Sequence, residues 1–513
     1  MSTFFYCVFG LAMVMLVWNT IEVGRNDAAN IVNAVFGSRV LTRERAVWIA
    51  GLGVVLGATM GSQVVETARK GIFDPKLLAG FNEALAIYIS VYIVNTVLLH
   101  TYSSFGMPVS TTASLVFSLL GAALAMSPTG VVKWDKAGQV ILGIICSIIL
   151  TAIMAFLVQR AVRGAIRDKW KSLPALLLHG GWIGGGMLAG LTYFMLVKGM
   201  KHLDFVKTLQ KDVVAPYGAP IVILILWGLF AILIHSLLVT FRKKAAGLLF
   251  PVLAIIGMLC MAFAFGQNDL ANCASPGLAI TKLYQIRQGG GTVAEATQAE
   301  IPLWALFGCG LLLVLGMTTQ GARRVTQAEV RMGSQGDQVK LWAPAWTITL
   351  AAKILRRQKP MPSLAPTITK TEEGKTLHYD PLRACVIMSV SASVITTASG
   401  LALPVSTTYV AFAAVVATGA ADRIFVRGDA ALKLGRAIWV VFSWFAAAGL
   451  AALSAALICR LVYQAETWGL IAALVINLAI RQVTKRRADA QEQRVRREAE
   501  ERMHPEDFSR EEE

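Results

Sequence analysis

Apolar residues in this chain gather into blocks of 17 to 24 positions, separated by connections where the polar residues concentrate. The blocks run over roughly 3–20, 47–66, 84–104, 109–126, 138–158, 174–197, 219–240, 245–265, 302–320, 383–402, 405–421, 437–458 and 464–480. A helix crosses a bilayer with about 17 to 25 apolar residues, so the pattern predicts an all-α polytopic membrane protein. Blocks this numerous are not explained by a signal peptide or a single anchor. Nothing basic precedes the first, as a secretory leader would require. Composition agrees: of 513 residues, 56% are hydrophobic and only 15% charged, against about 25% charged in a soluble domain.

Two blocks end in nearly the same polar string, "GRNDAANIVNA" from Gly24 and "GQNDLANCASP" from Gly266. Two others are broken by a second shared string, "MPVSTTAS" from Met107 and "LPVSTTYV" from Leu403. Proline lacks an N–H and restricts its predecessor, so helix is not expected to run through these joints. The pattern is that of a re-entrant helical hairpin with hydroxyls at its tip; two complete spans joined by a short loop are the alternative. The order of N-D motif, apolar span, P-V-S-T-T break and apolar span thus occurs twice. Between Asp27 and Pro108 lie 81 positions and between Asp269 and Pro404 lie 135, the excess matching a polar insert at 321–380. Within it, "LWAPAWTITLAAKILRR" reads as an amphipathic helix on the membrane surface.

The expected organisation is a first repeat at 1–160, connecting spans at 161–244, a second repeat at 245–320 and 381–460 split by the cytoplasmic insert 321–380, a last span at 461–480 and a charged tail at 481–513. Net charge is +17, and it lies in the connections at 39–45, 160–171, 242–244, 323–375 and 481–497. This is topogenic charge on the cytoplasmic side rather than a nucleic-acid surface. With the four later loops inside, block 3–20 runs inward and block 245–265 outward, so the repeats come out antiparallel. Lys198, Lys201, Lys207 and Lys211 then lie outside, against the rule. Inverted-topology repeats with interrupted helices are the architecture of alternating-access transporters, whose site lies where the halves meet. The seven cysteines form no CxxC pair and indicate neither a disulfide framework nor zinc.

The chemistry follows from the cost of burying it. A carboxylate at the centre of a membrane costs about 2.5–3.5 kcal/mol, so Asp27 and Asp269 must face protein, water or a cation. They are the expected cation sites, for Na⁺ or for a proton, with Asn26 and Asn268 beside them. Asn30 and Asn272 follow on the same helix face, offering amide donors to an anion. Ser110, Thr111, Thr112, Ser406, Thr407 and Thr408 add hydroxyls and free N–H groups at helix N-termini, which suit an oxyanion; mere helix capping is the plainer alternative. Glu22 and Glu66 read either as pathway groups or as interfacial ones. His100, His179 and His235 have no partner at metal-ligand spacing and read as packing residues.

In these strings the chain resembles the inorganic phosphate transporter (PiT) family. The resemblance rests on both G-x-N-D-x-x-N motifs, on "VVETARKGI" from Val64 and on both P-V-S-T-T breaks, and spans roughly 5–160 and 245–460. It implies uptake of inorganic phosphate coupled to Na⁺ or H⁺, with cations at Asp27 and Asp269 and phosphate at the Ser/Thr tips and neighbouring Asn side chains. It also implies no cofactor, no enzymatic activity and residence in the cell (plasma or inner) membrane. The chain departs from the family in having Ala113 and Tyr409 where many members carry histidine. It has Gly53 and Met388 where many sodium-coupled members carry glutamate, and Arg25 inside the first motif. Arg25 either pairs with Asp27 or attracts the anion itself. These departures leave open H⁺ coupling and a shift to sulfate. An anion channel is a further alternative, as is an intramembrane prenyltransferase. The latter wants further carboxylates one turn on to hold Mg²⁺, where Asn30 and Asn272 stand. Expected partners are the oxyanion and the lipid bilayer, with no nucleic acid; homo-oligomerisation is left open.

Overall fold

The computed structural model describes residues 2–61, 64, 72–126, 130–201, 203–293, 302–336, 339–356, 377–426 and 428–503, with side chains to 498. Helices α1 (Thr3–Gly37), α2 (Arg43–Thr59), α3 (Phe81–Ser104), α4 (Thr111–Met126), α5 (Trp134–Ile166) and α6 (Leu173–Thr192) make up the first part. Then come α7 (Ala219–Gln288), α8 (Leu303–Thr318), α9 (Gln320–Met332), α10 (Ala345–Arg356), α11 (Pro381–Gly400), α12 (Thr407–Ala421) and α13 (Ala430–Met503). Among the described residues no strand occurs, only one isolated bridge between Phe73 and Val132. Seven of these helices are long and apolar enough to cross a membrane. A straight helix of 70 residues would be about 105 Å long, three times the hydrocarbon core. α7 therefore turns back at Arg242 (φ 44°) and α13 at Glu466 (φ 45°), each being two helices joined end to end.

Burial sorts the helices into centre and periphery. α3 and α11 are largely enclosed by protein, and so are α4 and α12, the short helices that follow the two breaks. The first arm of α7 instead exposes Leu224, Ile225, Leu229 and Ile232. An apolar surface on that scale faces lipid rather than water. This is an integral membrane protein.

The two N-D motifs lie in unbroken helix, on α1 and on the arm of α7 after Arg242. The breaks expected at the P-V-S-T-T strings are present, between α3 and α4 and between α11 and α12. What the motif glycines provide is close approach. A Cβ on Gly24 would fall 2.0 Å from Leu313 O on α8, and one on Gly266 would fall 2.1 Å from Val54 O on α2. Each motif helix thus crosses, backbone against backbone, a helix of the other half, the small-residue packing that membrane helices favour. The halves interlock at the glycine that precedes each N-D pair.

Proline sits inside the second motif helix and a side chain repairs the damage. Pro276 interrupts the helical ladder, and the Tyr92 hydroxyl enters the gap, donating to Cys273 O and accepting from Gly277 N, both at 2.8 Å. α8 and α9 meet at a 67° bend, where Thr319 caps α9 by accepting from Ala322 N. α9 begins the stretch assigned to the insert, yet it packs under α1: Asn33 Nδ2 donates to Glu329 Oε1 at 2.6 Å, both residues buried. The expected amphipathic helix is α10, with Trp346 edge-on to Trp439 and Phe442 of α13. Glu66 and most of the "VVETARKGI" string lie outside the described residues, as do 357–376 of the insert and 504–513 of the tail.

Candidate functional site

Both P-V-S-T-T strings are extended and both open a helix. Ser110 Oγ accepts from Ala113 N at 3.0 Å and Ser406 Oγ accepts from Tyr409 N at 3.1 Å. The two serines therefore cap α4 and α12, which directs the neighbouring threonines inward. All six Ser/Thr residues are buried, together with Asn26, Asp27, Asn30, Asn268, Asp269 and Asn272. Every residue singled out for cation or substrate lies in one cluster where the two halves cross.

The contacts within it come in matched pairs. Asn26 Nδ2 donates to Val109 O at 2.7 Å, and Asn268 Nδ2 donates to Val405 O at 2.6 Å. Thr408 Oγ1 lies 3.3 Å from the same Val109 O, sharing its one hydrogen with Asp27, and Thr112 Oγ1 donates to the same Val405 O at 3.0 Å. Asn30 Nδ2 reaches Thr408 Oγ1 at 3.1 Å, and Asn272 Nδ2 reaches Thr112 Oγ1 at 2.9 Å. Each tip carbonyl is thus held by an asparagine of its own half and a threonine of the other. Contacts exchanged in this way, a to b′ and b to a′, are the signature of two-fold pairing.

The carboxylates sit at the centre. Asp27 Oδ1 accepts from Asn26 at 2.7 Å, Asn30 at 3.1 Å and Thr408 at 2.9 Å. Asp269 Oδ1 accepts from Asn272 at 2.5 Å. Thr111 Oγ1 lies 3.1 Å from both Asp27 Oδ2 and Asp269 Oδ1. A hydroxyl has one hydrogen, so it cannot fully satisfy two carboxylates. Like charges held this close in a dry interior repel strongly unless a positive charge lies between them. Thr407 lies beside Asp269, but neither its Oγ1 nor Asp269 Oδ2 completes a hydrogen bond, and Asn30 Oδ1 and Asn272 Oδ1 also lack partners. Buried oxygens left unsatisfied are costly, and oxygen acceptors converging without donors suit a hard cation.

Arg25 does not pair with Asp27. Its guanidinium turns away from Asp27 to Glu22 at 3.3 Å and His100 Nδ1 at 3.1 Å. Arg481 holds the same Glu22 at 2.5 Å. At Gly53, a side chain has no room, since a Cβ would stand 2.8 Å from Leu259 O. Sequence reasoning passes over several residues: Ser103, which donates to Asn26 Oδ1 at 3.2 Å, the Asn33–Glu329 pair, and a buried ionic cluster. In that cluster Arg163 bonds Asp380 at 2.5 Å and Asp422 at 2.8 Å, tying α5 to the start of α11 and the end of α12. The sequence pattern presents Arg163 only as topogenic charge, and no local feature announces its partners more than 200 positions away.

The chain matches the profile described as the phosphate transporter family over residues 23–338 and 363–455. It is 28% identical over 447 residues to a protein of Thermococcus kodakarensis and 28% identical over 454 residues to one of Pyrococcus horikoshii. Each alignment spans 86% of this chain and 94% of the relative, and both relatives bear the name "Putative phosphate permease". A solved structure named "The sodium-dependent phosphate transporter" superposes with a TM-score of 0.62 at 20% identity, covering 89% of this chain and 99% of that one. That likeness is one of fold.

Proposed function

Because the chain belongs to the phosphate transporter family, we propose that it carries inorganic phosphate across the cell membrane by alternating access, together with Na⁺ or H⁺, and catalyses no reaction. One observation carries this reading. The donors suited to an oxyanion are already engaged on two carboxylates, with Thr111 shared between Asp27 and Asp269. The matched pairing across the halves supports repeats of inverted orientation, with the substrate held where they cross.

Coupling follows from competition for the same hydrogens. Thr111, Thr408, Asn30 and Asn272 now donate to Asp27 and Asp269 or to one another. Phosphate needs these donors, and it brings negative charge to a place that holds two carboxylates already. A cation bound at the carboxylates both offsets that charge and releases the hydroxyl and amide hydrogens toward the anion. Asp27 and Asp269, with the carbonyl oxygens of Asn26, Asn30, Asn268 and Asn272 near them, hold the cation. The Thr hydroxyls and the Asn amide groups then turn to phosphate, while Ser110 and Ser406 hold the helix starts in place. Cation binding precedes phosphate binding in this scheme. The structural relative is named as sodium-dependent, which supports Na⁺ as the first ion to test.

The experiment is reconstitution into liposomes with an imposed Na⁺ or H⁺ gradient. Labelled phosphate should accumulate against its own gradient under one of the two, and unlabelled phosphate should compete better than sulfate. Dissipation without accumulation would make the protein a channel. Stronger competition by sulfate would reassign the substrate.

A further inference from the structure

Beneath the first hairpin lies a second polar cavity that shares no residue with the phosphate site. Its volume is about 360 Å³, and Arg324, Arg331, Lys340, Arg436 and Arg496 line it, with Glu492 the one acid among the described lining residues. Arg324 is paired with Glu492 at 2.9 Å and with Asp489 at 2.8 Å, so the one lining acid is already engaged by one of the five lining cations. Ligand pockets begin at about this size, and cations gathered around a concavity focus the field on an anion. Guanidinium groups in particular match the oxygen geometry of a phosphate group.

Two features fix where this cavity sits and what it touches. Trp342 is on its wall and stands edge-on to Trp439, which in turn meets Trp346 and Phe442. A belt of tryptophans marks the level where membrane meets water, and the basic connections mark this side as the cytoplasmic one. The floor is the turn that leads into the first P-V-S-T-T string. Buried Arg436 donates to Phe105 O at 3.3 Å and Gly106 O at 3.2 Å, and to Trp342 O at 3.0 Å. An occupant would therefore sit against the same arginine that holds the turn leading into the hairpin tip, three residues before Val109.

We propose that this cavity is a second anion site, which binds the phosphate group of a ligand at the cytoplasmic interface. The ligand is either a soluble phosphate or pyrophosphate, or the headgroup of an anionic phospholipid; interfacial basic pockets recognise such headgroups. The shared chemistry is a phosphate group with two or more charged or polar oxygens.

The test uses purified full-length protein, stripped of lipid in a neutral detergent, with thermal unfolding as the readout. Pyrophosphate, orthophosphate and dispersed phosphatidylglycerol are titrated separately, with phosphatidylcholine as the control. A ligand that binds the folded state raises Tm saturably. Pyrophosphate should do so if the ligand is soluble, and phosphatidylglycerol alone if it is a lipid; orthophosphate, which the transport site also binds, reports that site. Gln327→Glu adds a charge to the cavity wall without removing a bond, and Lys340→Gln with Arg496→Gln removes two cations. Each change should raise the half-saturating concentration about tenfold. Thr111→Val, in the transport site, should leave the pyrophosphate and phosphatidylglycerol half-saturations unaltered while weakening the orthophosphate response, which keeps this outcome separate from any failure of phosphate transport. A flat response of the wild type to pyrophosphate and phosphatidylglycerol overturns the proposal, and so does an equal half-saturation in the wild type and both cavity variants.

Discussion

The two hairpin tips carry the same five residues, P-V-S-T-T, yet they are not used alike. Their tip carbonyls have matched neighbours, Val109 O and Val405 O each meeting one asparagine and one threonine. Their first threonines differ. Thr111 joins Asp27 to Asp269, while Thr407 Oγ1 completes no hydrogen bond. The five shared residues cannot by themselves account for the unequal bonding; their surroundings differ, with Met107 and Ala113 flanking one string and Leu403 and Tyr409 the other. Symmetry resides in what positions the tips, and asymmetry in what touches the charge.

Removing charge should have the largest effect. Asp27→Asn or Asp269→Asn is expected to abolish cation-driven phosphate accumulation in liposomes, with size-exclusion profile and helical content unchanged. Retained accumulation in either variant would remove that carboxylate from the coupling scheme. It would leave the pairing of the tips without a purpose.

Next come the threonines, where the asymmetry is directly at stake. A hydrogen bond to a charged group contributes about 1.5–3 kcal/mol, so Thr111→Val should raise the KM for phosphate about tenfold or more. Thr407→Val, with no bond to lose in this conformation, should cost about threefold or less on the same scale. Equal effects would show that the tips exchange roles during the cycle and that the bridge belongs to one half of it. By contrast, Asn26→Ala and Asn268→Ala remove matched bonds to Val109 and Val405. Their losses in initial uptake rate should agree within about threefold, since each bond contributes about 1 kcal/mol. A large disparity would break the symmetric half of the comparison.

Much of this is legible because it is written locally and written twice. Two copies of N-D-x-x-N and two prolines before S-T-T identify the motif helices and the breaks without any knowledge of the fold. Partners across the halves are not legible: nothing near Asp27 in sequence points to Thr408, and nothing near Asn33 points to Glu329. The expected pairing of Arg25 with Asp27 fails for the same reason. Proximity along the chain suggests Asp27, but two residues along a helix turn the side chain by about 200°, toward Glu22 and His100 instead. Gly24 and Gly266 are visible as motif letters, while their reason, contact with Leu313 O and Val54 O, appears only when the helices cross.

The smallest effect tests whether the two hairpin turns are the same object. Gly106 and Ala402 each stand two residues before the tip proline, and both are left-handed, with φ of 62° and 56°. Glycine adopts that region freely, whereas an L-residue there costs about 1–2 kcal/mol. Ala402→Gly should therefore stabilise the protein by about 0.5–1 kcal/mol once the added chain entropy of glycine is subtracted. The reciprocal Gly106→Ala should destabilise it by somewhat more. It incurs the same backbone strain and also brings a Cβ to 3.1 Å from Ala328 Cβ. Thermal unfolding in detergent, with phosphate uptake as a control for folding, reads both. If Ala402→Gly lowers stability, the second turn depends on its methyl group, and the likeness of the hairpins ends at the proline.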